Sequence, residues 1–102
     1  MFLHVVLMEF HETANAEFFK AVQMHADRIR AECKNLLMYQ FTQNVADRSD
    51  GLNYAVVSGF TDSASHDAYQ ICSAHLAMKN FMSPHIKRIT VFDGDAELSN
   101  VR

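Results

Sequence analysis

A chain of 102 residues is short enough to build around a single core, so one domain over residues 1–102 is expected. Nearly half of it is hydrophobic (49%) and about a fifth charged (21%), the balance of an ordinary globular protein. A net charge of −3 without any basic run excludes the electrostatic footprint of a nucleic-acid or anionic-membrane partner.

In Phe2 to Phe10, residues Phe2, His4, Val6, Met8 and Phe10 share one face of a predicted strand, and Leu3, Val5 and Leu7 share the other. Both faces are apolar, so the strand should be covered on both sides. From Asn15 to Lys34 the period changes, and Phe18, Val22, Ala26, Ile29 and Cys33 recur at the steps of an amphipathic helix. Thr13 or Asn15 is the candidate N-cap, with Glu17 suited to the first turn. Leu37, Tyr39, Phe41 and Val45 alternate through a second strand. The turn signal Asp47-Arg48-Ser49-Asp50-Gly51 follows, then a third strand over Asn53 to Phe60. Thr61-Asp62-Ser63 opens a helix near His66 to Ile71. A second short helix near His75 to Met82 ends ahead of Pro84, because the residue before a proline avoids the helical region. Ile86 to Asp93 supplies a closing strand, and the tail through Arg102 is expected to fray or pack on a neighbour.

That order predicts a ferredoxin-like α+β fold, a four-stranded antiparallel sheet with its helices gathered on one face. No helix remains to cover the other face, which would expose Leu3, Val5 and Leu7. A contiguous apolar patch of this kind calls for a partner. Burying ~600 Å² of it is worth on the order of 15 kcal/mol before association costs. Sheet-to-sheet homodimerisation about a two-fold axis is the expected solution.

The longest apolar stretches are strand-length, well short of the ~20 residues needed to cross a bilayer. Met1-Phe2-Leu3-His4 lacks the basic flank and cleavage site of a signal peptide. Cys33 and Cys72 show no metal-ligand spacing and read as free buried thiols in a reducing cytoplasm. The six histidines show no HExxH or short paired spacing, so no metal is expected, and His25 and His66 read as solvated helix residues. Nor is there a glycine-rich phosphate loop, since the three glycines are scattered at Gly51, Gly59 and Gly94.

Four features together resemble the stress-responsive dimeric α/β-barrel (Dabb) family. They are the opening FLHVVLMEF strand with its early histidine, the NYAVVSGF strand, the tyrosine with a histidine six residues on (Tyr69, His75), and the SPHIKRITVFD ending. The resemblance covers nearly the whole chain. It implies a homodimer whose two sheets close into a barrel-like core with helices outside, and a cleft between sheet and helices in each subunit. One plant branch of the family cyclises polyketides by aldol condensation without metal or cofactor. Its acid/base histidine matches His75, its helper tyrosine matches Tyr69, and His4 matches a further polar cleft residue. The chain departs from that branch in two places. The family's HPxH element reads Cys72-Ser73-Ala74-His75, and a cleft histidine on the third strand is replaced by Tyr54.

His75 is the natural proton carrier, since an imidazole titrates near neutrality. The Tyr69 phenol could orient it or stabilise an enolate oxygen, and His4 could reach the same space from the sheet. Phe10, Phe18, Phe19, Val22, Met78, Phe81 and Met82 are candidate apolar lining, with His85 at the mouth. In the plainer alternative, His75 packs a helix end and Tyr69 is a half-buried aromatic. A Cys72–His75 thiolate pair is the weakest candidate, because it spans the break between two helices. Three functions follow. The first is a dimeric module that holds a small hydrophobic or phenolic ligand without turnover. A cofactor-independent cyclase or isomerase working through His75 is the second, and a cofactor-free monooxygenase of the related dimeric ferredoxin-like group the third. The binding reading leads, because half of the cyclase branch's polar pattern is missing.

Overall fold

Asn15 starts the first helix. Its side-chain oxygen accepts the Phe18 backbone N–H at 2.9 Å, which decides between the two N-cap candidates. The computed structural model describes residues 1–97, so the tail that was expected to fray lies mostly outside the described residues. The elements run β1 (Phe2–Phe10), α1 (Ala16–Glu32), β2 (Leu36–Gln43), β3 (Tyr54–Phe60), α2 (Ser63–Gln70), α3 (Ser73–Met82), a 3₁₀ turn (Ser83–His85) and β4 (Ile86–Asp95). All pairings are antiparallel and the strand order is β2-β3-β1-β4. The result is the expected ferredoxin-like α+β arrangement, with β1 in an inner position.

The register sorts the side chains into two faces. Val6 lies opposite Val56 and Val91, and Phe41 opposite Val56, so these share a face with Phe2, His4, Met8, Tyr39, Ser58 and Phe60. That face carries the core, formed with Phe18, Val22, Ala26 and Ile29 of α1, Tyr69 of α2, and Ala74, Met78 and Met82 of α3. Leu3, Val5 and Leu7 lie opposite Gly59, Val57 and Ala55 on the other face, and none of the three belongs to the core cluster. They are partly exposed, while Met38 and Phe92 on the same face are exposed outright.

The two sheet edges differ. The β2 edge is covered, because Gln23 and Arg30 on α1 donate to the carbonyls of Phe41 and Tyr39 at 2.9 and 2.6 Å. β4 is left largely open, with Ile89, Val91 and Phe92 all more than half exposed. The β2–β3 connection turns through Asp50 and Gly51 at positive φ, 54° and 80°. Glycine enters that region without steric cost. Arg88 fastens the turn to the sheet by hydrogen bonds to Asp50 and Glu9.

Several expectations change. Cys33 and Cys72 are not free thiols but are joined as a disulfide, with a Cα–Cα distance of 6.4 Å. Cys33 caps the end of α1 and Cys72 precedes α3, so two helix ends remote in sequence meet. A Cys72 thiolate is thereby ruled out. Val45 falls beyond β2 and is exposed, because the strand ends at Gln43. α2 begins at Ser63, where the Thr61-Asp62-Ser63 signal places its opening, and Asp62 accepts from both the backbone N–H and the hydroxyl of Ser65. His66 is buried, not solvated, and His25 is half-buried against Phe81.

Candidate ligand cleft and its polar end

The helices cover β2, β3 and β1 but leave a gap between α3 and β4. An open cleft of about 600 Å³ lies there. Its walls are apolar along Val6, Met8, Val56, Met78, Met82 and Val91, and polar at the end formed by His4, Tyr69, Gln70, His75 and Asp93. Lys79 and Lys87 are also part of the lining.

Three elements bring the polar end together. His4 points to the helix side of β1, with its ring centroid 6.0 Å from that of Tyr69 on α2. His75, in the first turn of α3, packs against Tyr69 at 4.2 Å between centroids. The α2–α3 break at Ile71 and Cys72 lets a residue from each helix face the same space. His75 Nδ1 donates to the Gln70 carbonyl at 3.1 Å, since a carbonyl can only accept. In neutral His75 this leaves Nε2 as the basic nitrogen. Burial is the main influence on the ring and holds its pKa below the ordinary 6.5, against a smaller opposing effect of the Gln70 carbonyl. His75 is therefore uncharged at neutral pH.

The phenol of Tyr69 bonds that of Tyr39 at 2.9 Å, and the Tyr39 hydroxyl also reaches Met78 Sδ at 3.4 Å. Burial pushes Tyr39 up to about 12 and Tyr69 further in the same direction, so both phenols stay protonated. Across the floor, Asp93 of β4 pairs with His4 of β1, and its carboxylate accepts from His4 Nδ1.

Of the residues predicted from sequence, His4, Tyr69, His75, Met78 and Met82 line this cleft. Phe18 and Val22 do not, because the inward stripe of α1 is consumed by the core. Tyr54 lies in an aromatic group with Phe10, Phe19 and Phe41, and it lines a separate cavity of about 230 Å³ with Phe10 and Phe19. Phe81 stacks on Phe18 at 5.3 Å. His85 bonds Thr13 at 2.8 Å and packs on Phe18, away from the lining. Sequence reasoning missed Tyr39, His66 and Asp93. Tyr39 had a usable signal in its alternation with Phe41, and His66 in standing three residues before Tyr69 on one helix. Asp93 had none, since its place depends on the β1–β4 register.

The profile of the stress responsive A/B barrel domain family matches residues 2–96, nearly the whole chain. The chain belongs to the Dabb family. No curated protein matches it. Among solved structures, hydroxynitrile lyase from Passiflora edulis superposes with a TM-score of 0.83 at 14% identity, covering 95% of this chain and 94% of that one. A dimeric ferredoxin-like protein of unknown function from Thermobifida fusca gives 0.81 at 18%, covering 93% and 90%. A Dabb protein with a ferredoxin-like fold from Mesorhizobium loti gives 0.77 at 14%, covering 94% and 96%. At these identities the likeness concerns the Dabb fold alone. No helix among the described residues is long and apolar enough to cross a membrane.

Proposed function

We propose that this Dabb protein is a homodimer that holds a small, mainly hydrophobic or phenolic molecule in the cleft of each subunit, without turning it over. The observation that carries this reading is the open cleft of about 600 Å³ with mainly apolar walls and the His4, Tyr69, His75 and Asp93 group at one end. Its size and composition fall within the range of small-molecule sites, in which a few polar groups fix the orientation of an apolar ligand. The bare sheet face with Leu3, Val5, Leu7, Val57 and Phe92 supports pairing with a second copy. So does the dimeric description of the Thermobifida fusca protein. Pairing through that face leaves the clefts outside the interface. The Cys33–Cys72 disulfide fits an oxidising compartment better than the cytoplasm expected from sequence.

Titration with 1-naphthol and simple aryl ketones tests the binding reading. Saturable binding at one site per chain is expected. Val91→Trp, which fills the cleft from an exposed strand position, should weaken it at least tenfold, and His75→Ala only modestly. Equal binding by the Val91→Trp variant contradicts the assignment.

A second reading, proton transfer next to a carbonyl, is favoured by one observation. The Gln70 carbonyl fixes His75 with a basic Nε2, beside a Tyr69 phenol that stays protonated. Under that reading His75→Ala keeps fold and dimer while abolishing turnover of a true substrate.

A further inference from the structure

The polar end of the cleft holds more than the His4, Tyr69 and His75 group. His4 on β1, His66 on α2 and Asp93 on β4 each bring one potential ligand atom to within 4.8 Å of the others. It is the one cluster of this kind among the described residues. We propose that these three side chains bind a divalent transition-metal ion of the zinc type, with a further coordination position open to the cleft.

Two imidazoles and one carboxylate are a donor set that zinc and its first-row neighbours take readily. With metal–ligand bonds of ~2.0–2.1 Å, the ligand atoms of a tetrahedral site stand about 3.4 Å apart. A pair at the 4.8 Å limit would therefore close by about 1.4 Å, within reach of side-chain rotation, while His4 Nδ1 and Asp93, now in hydrogen-bond contact, would part to admit the ion. Asp93 is free to rotate, because its side chain is 42% exposed. The ion would replace the hydrogen bond now made between His4 Nδ1 and Asp93.

His66 supplies the independent observation. It is only 3% exposed and is enclosed by the rings of Phe2, Phe60 and Tyr69, with His4 at 4.3 Å between centroids. Its hydrogen-bond partner among the described residues is the Gln70 amide nitrogen, at 3.4 and 3.5 Å from its two ring nitrogens. Both distances lie at the outer limit of a hydrogen bond. A buried imidazole ordinarily has a well-formed partner, and a metal ion on the His4 side would provide one. His4 and Asp93 line the cleft, so the open position faces the space assigned to the ligand. A carbonyl or phenol oxygen bound there could complete the coordination.

Chelator-stripped protein is titrated with Zn²⁺ by calorimetry and with Co²⁺ by visible absorption. One ion per chain is expected, with the cobalt spectrum of a four-coordinate site. Asp93→Asn, at an exposed position that should fold normally, and His66→Ala should each weaken binding at least tenfold. His11→Ala, remote from the cluster, should leave it unchanged. Should His66→Ala fail to fold, Asp93→Asn decides alone. Absence of saturable 1:1 binding, or wild-type affinity in Asp93→Asn, overturns the proposal. Either result leaves the ligand-binding reading to its own test with 1-naphthol.

Discussion

Asp93 stands directly across the β1–β4 ladder from His4, and its carboxylate accepts a hydrogen bond from His4 Nδ1. The contact ties an otherwise open edge strand to the inner strand of the sheet at the polar end of the cleft. One partner is largely buried and the other is 42% exposed, so solvent screens part of its strength. Asp93→Asn should cost about 0.5–1.5 kcal/mol in urea unfolding of metal-free protein. A loss several times larger would show that the pair carries far more of the fold than its exposure suggests.

The Cys33–Cys72 disulfide joins the end of α1 to the start of α3 across a sequence separation of 39. Closing a loop of that length in the unfolded chain is worth roughly 4 kcal/mol. Reduction, or the Cys33→Ala/Cys72→Ala pair, should lower the thermal midpoint by well over 10 °C. Since Cys72 stands three residues ahead of His75, ligand affinity should fall as well. Identical melting with and without reductant would mean that the thiols are free in solution.

Removing one phenol of the Tyr39–Tyr69 pair leaves the other buried without that partner. Tyr39→Phe should therefore cost about 1–3 kcal/mol. Burial raises both phenols above 10, so above pH 10 the unfolded chain releases protons that the native state retains. Stability should then fall with rising pH from about 10 upward, and more steeply than in the Tyr39→Phe/Tyr69→Phe variant. Denaturant unfolding between pH 8 and 11 measures the slope, and a flat profile would contradict the burial of the pair.

His75 follows the opposite sign. Its folded pKa lies below 6.5, so the unfolded chain takes up protons first as the pH drops. The stability contributed by keeping the ring neutral is complete above 6.5 and is lost as the pH falls through the folded value. Lys79, His4 and His66 face the ring and add to the cost of charging it. A proton NMR titration should place the His75 midpoint below that of a free imidazole, and a midpoint above 6.5 would rule out the buried, neutral base.

Much of the fold could be read from periodicity, because burial imposes it. Phe18, Val22, Ala26 and Ile29 mark the inward stripe of α1, and alternation along Phe2 to Phe10 separates the two sheet faces. The cleft was legible only in part. The family resemblance points to His4, Tyr69 and His75, but an apolar helix stripe cannot tell a cleft wall from a core, and the core uses Phe18 and Val22. Asp93 and the Cys33–Cys72 bond escaped because each depends on tertiary register between remote segments, which no local pattern encodes. The burial of His66 is not legible from its polar side chain, because it comes from packing against Phe2 of β1, Phe60 of β3 and Tyr69.

The bare sheet face is the feature on which the whole arrangement rests. Sedimentation equilibrium of the wild type and of Val5→Asp, whose charge would sit in the middle of that face, tests it most directly. At low micromolar concentration the wild type should sediment at twice the 11.6 kDa of the chain, and Val5→Asp as a folded monomer. A wild type that stays at 11.6 kDa across the concentration range would contradict the paired-sheet account.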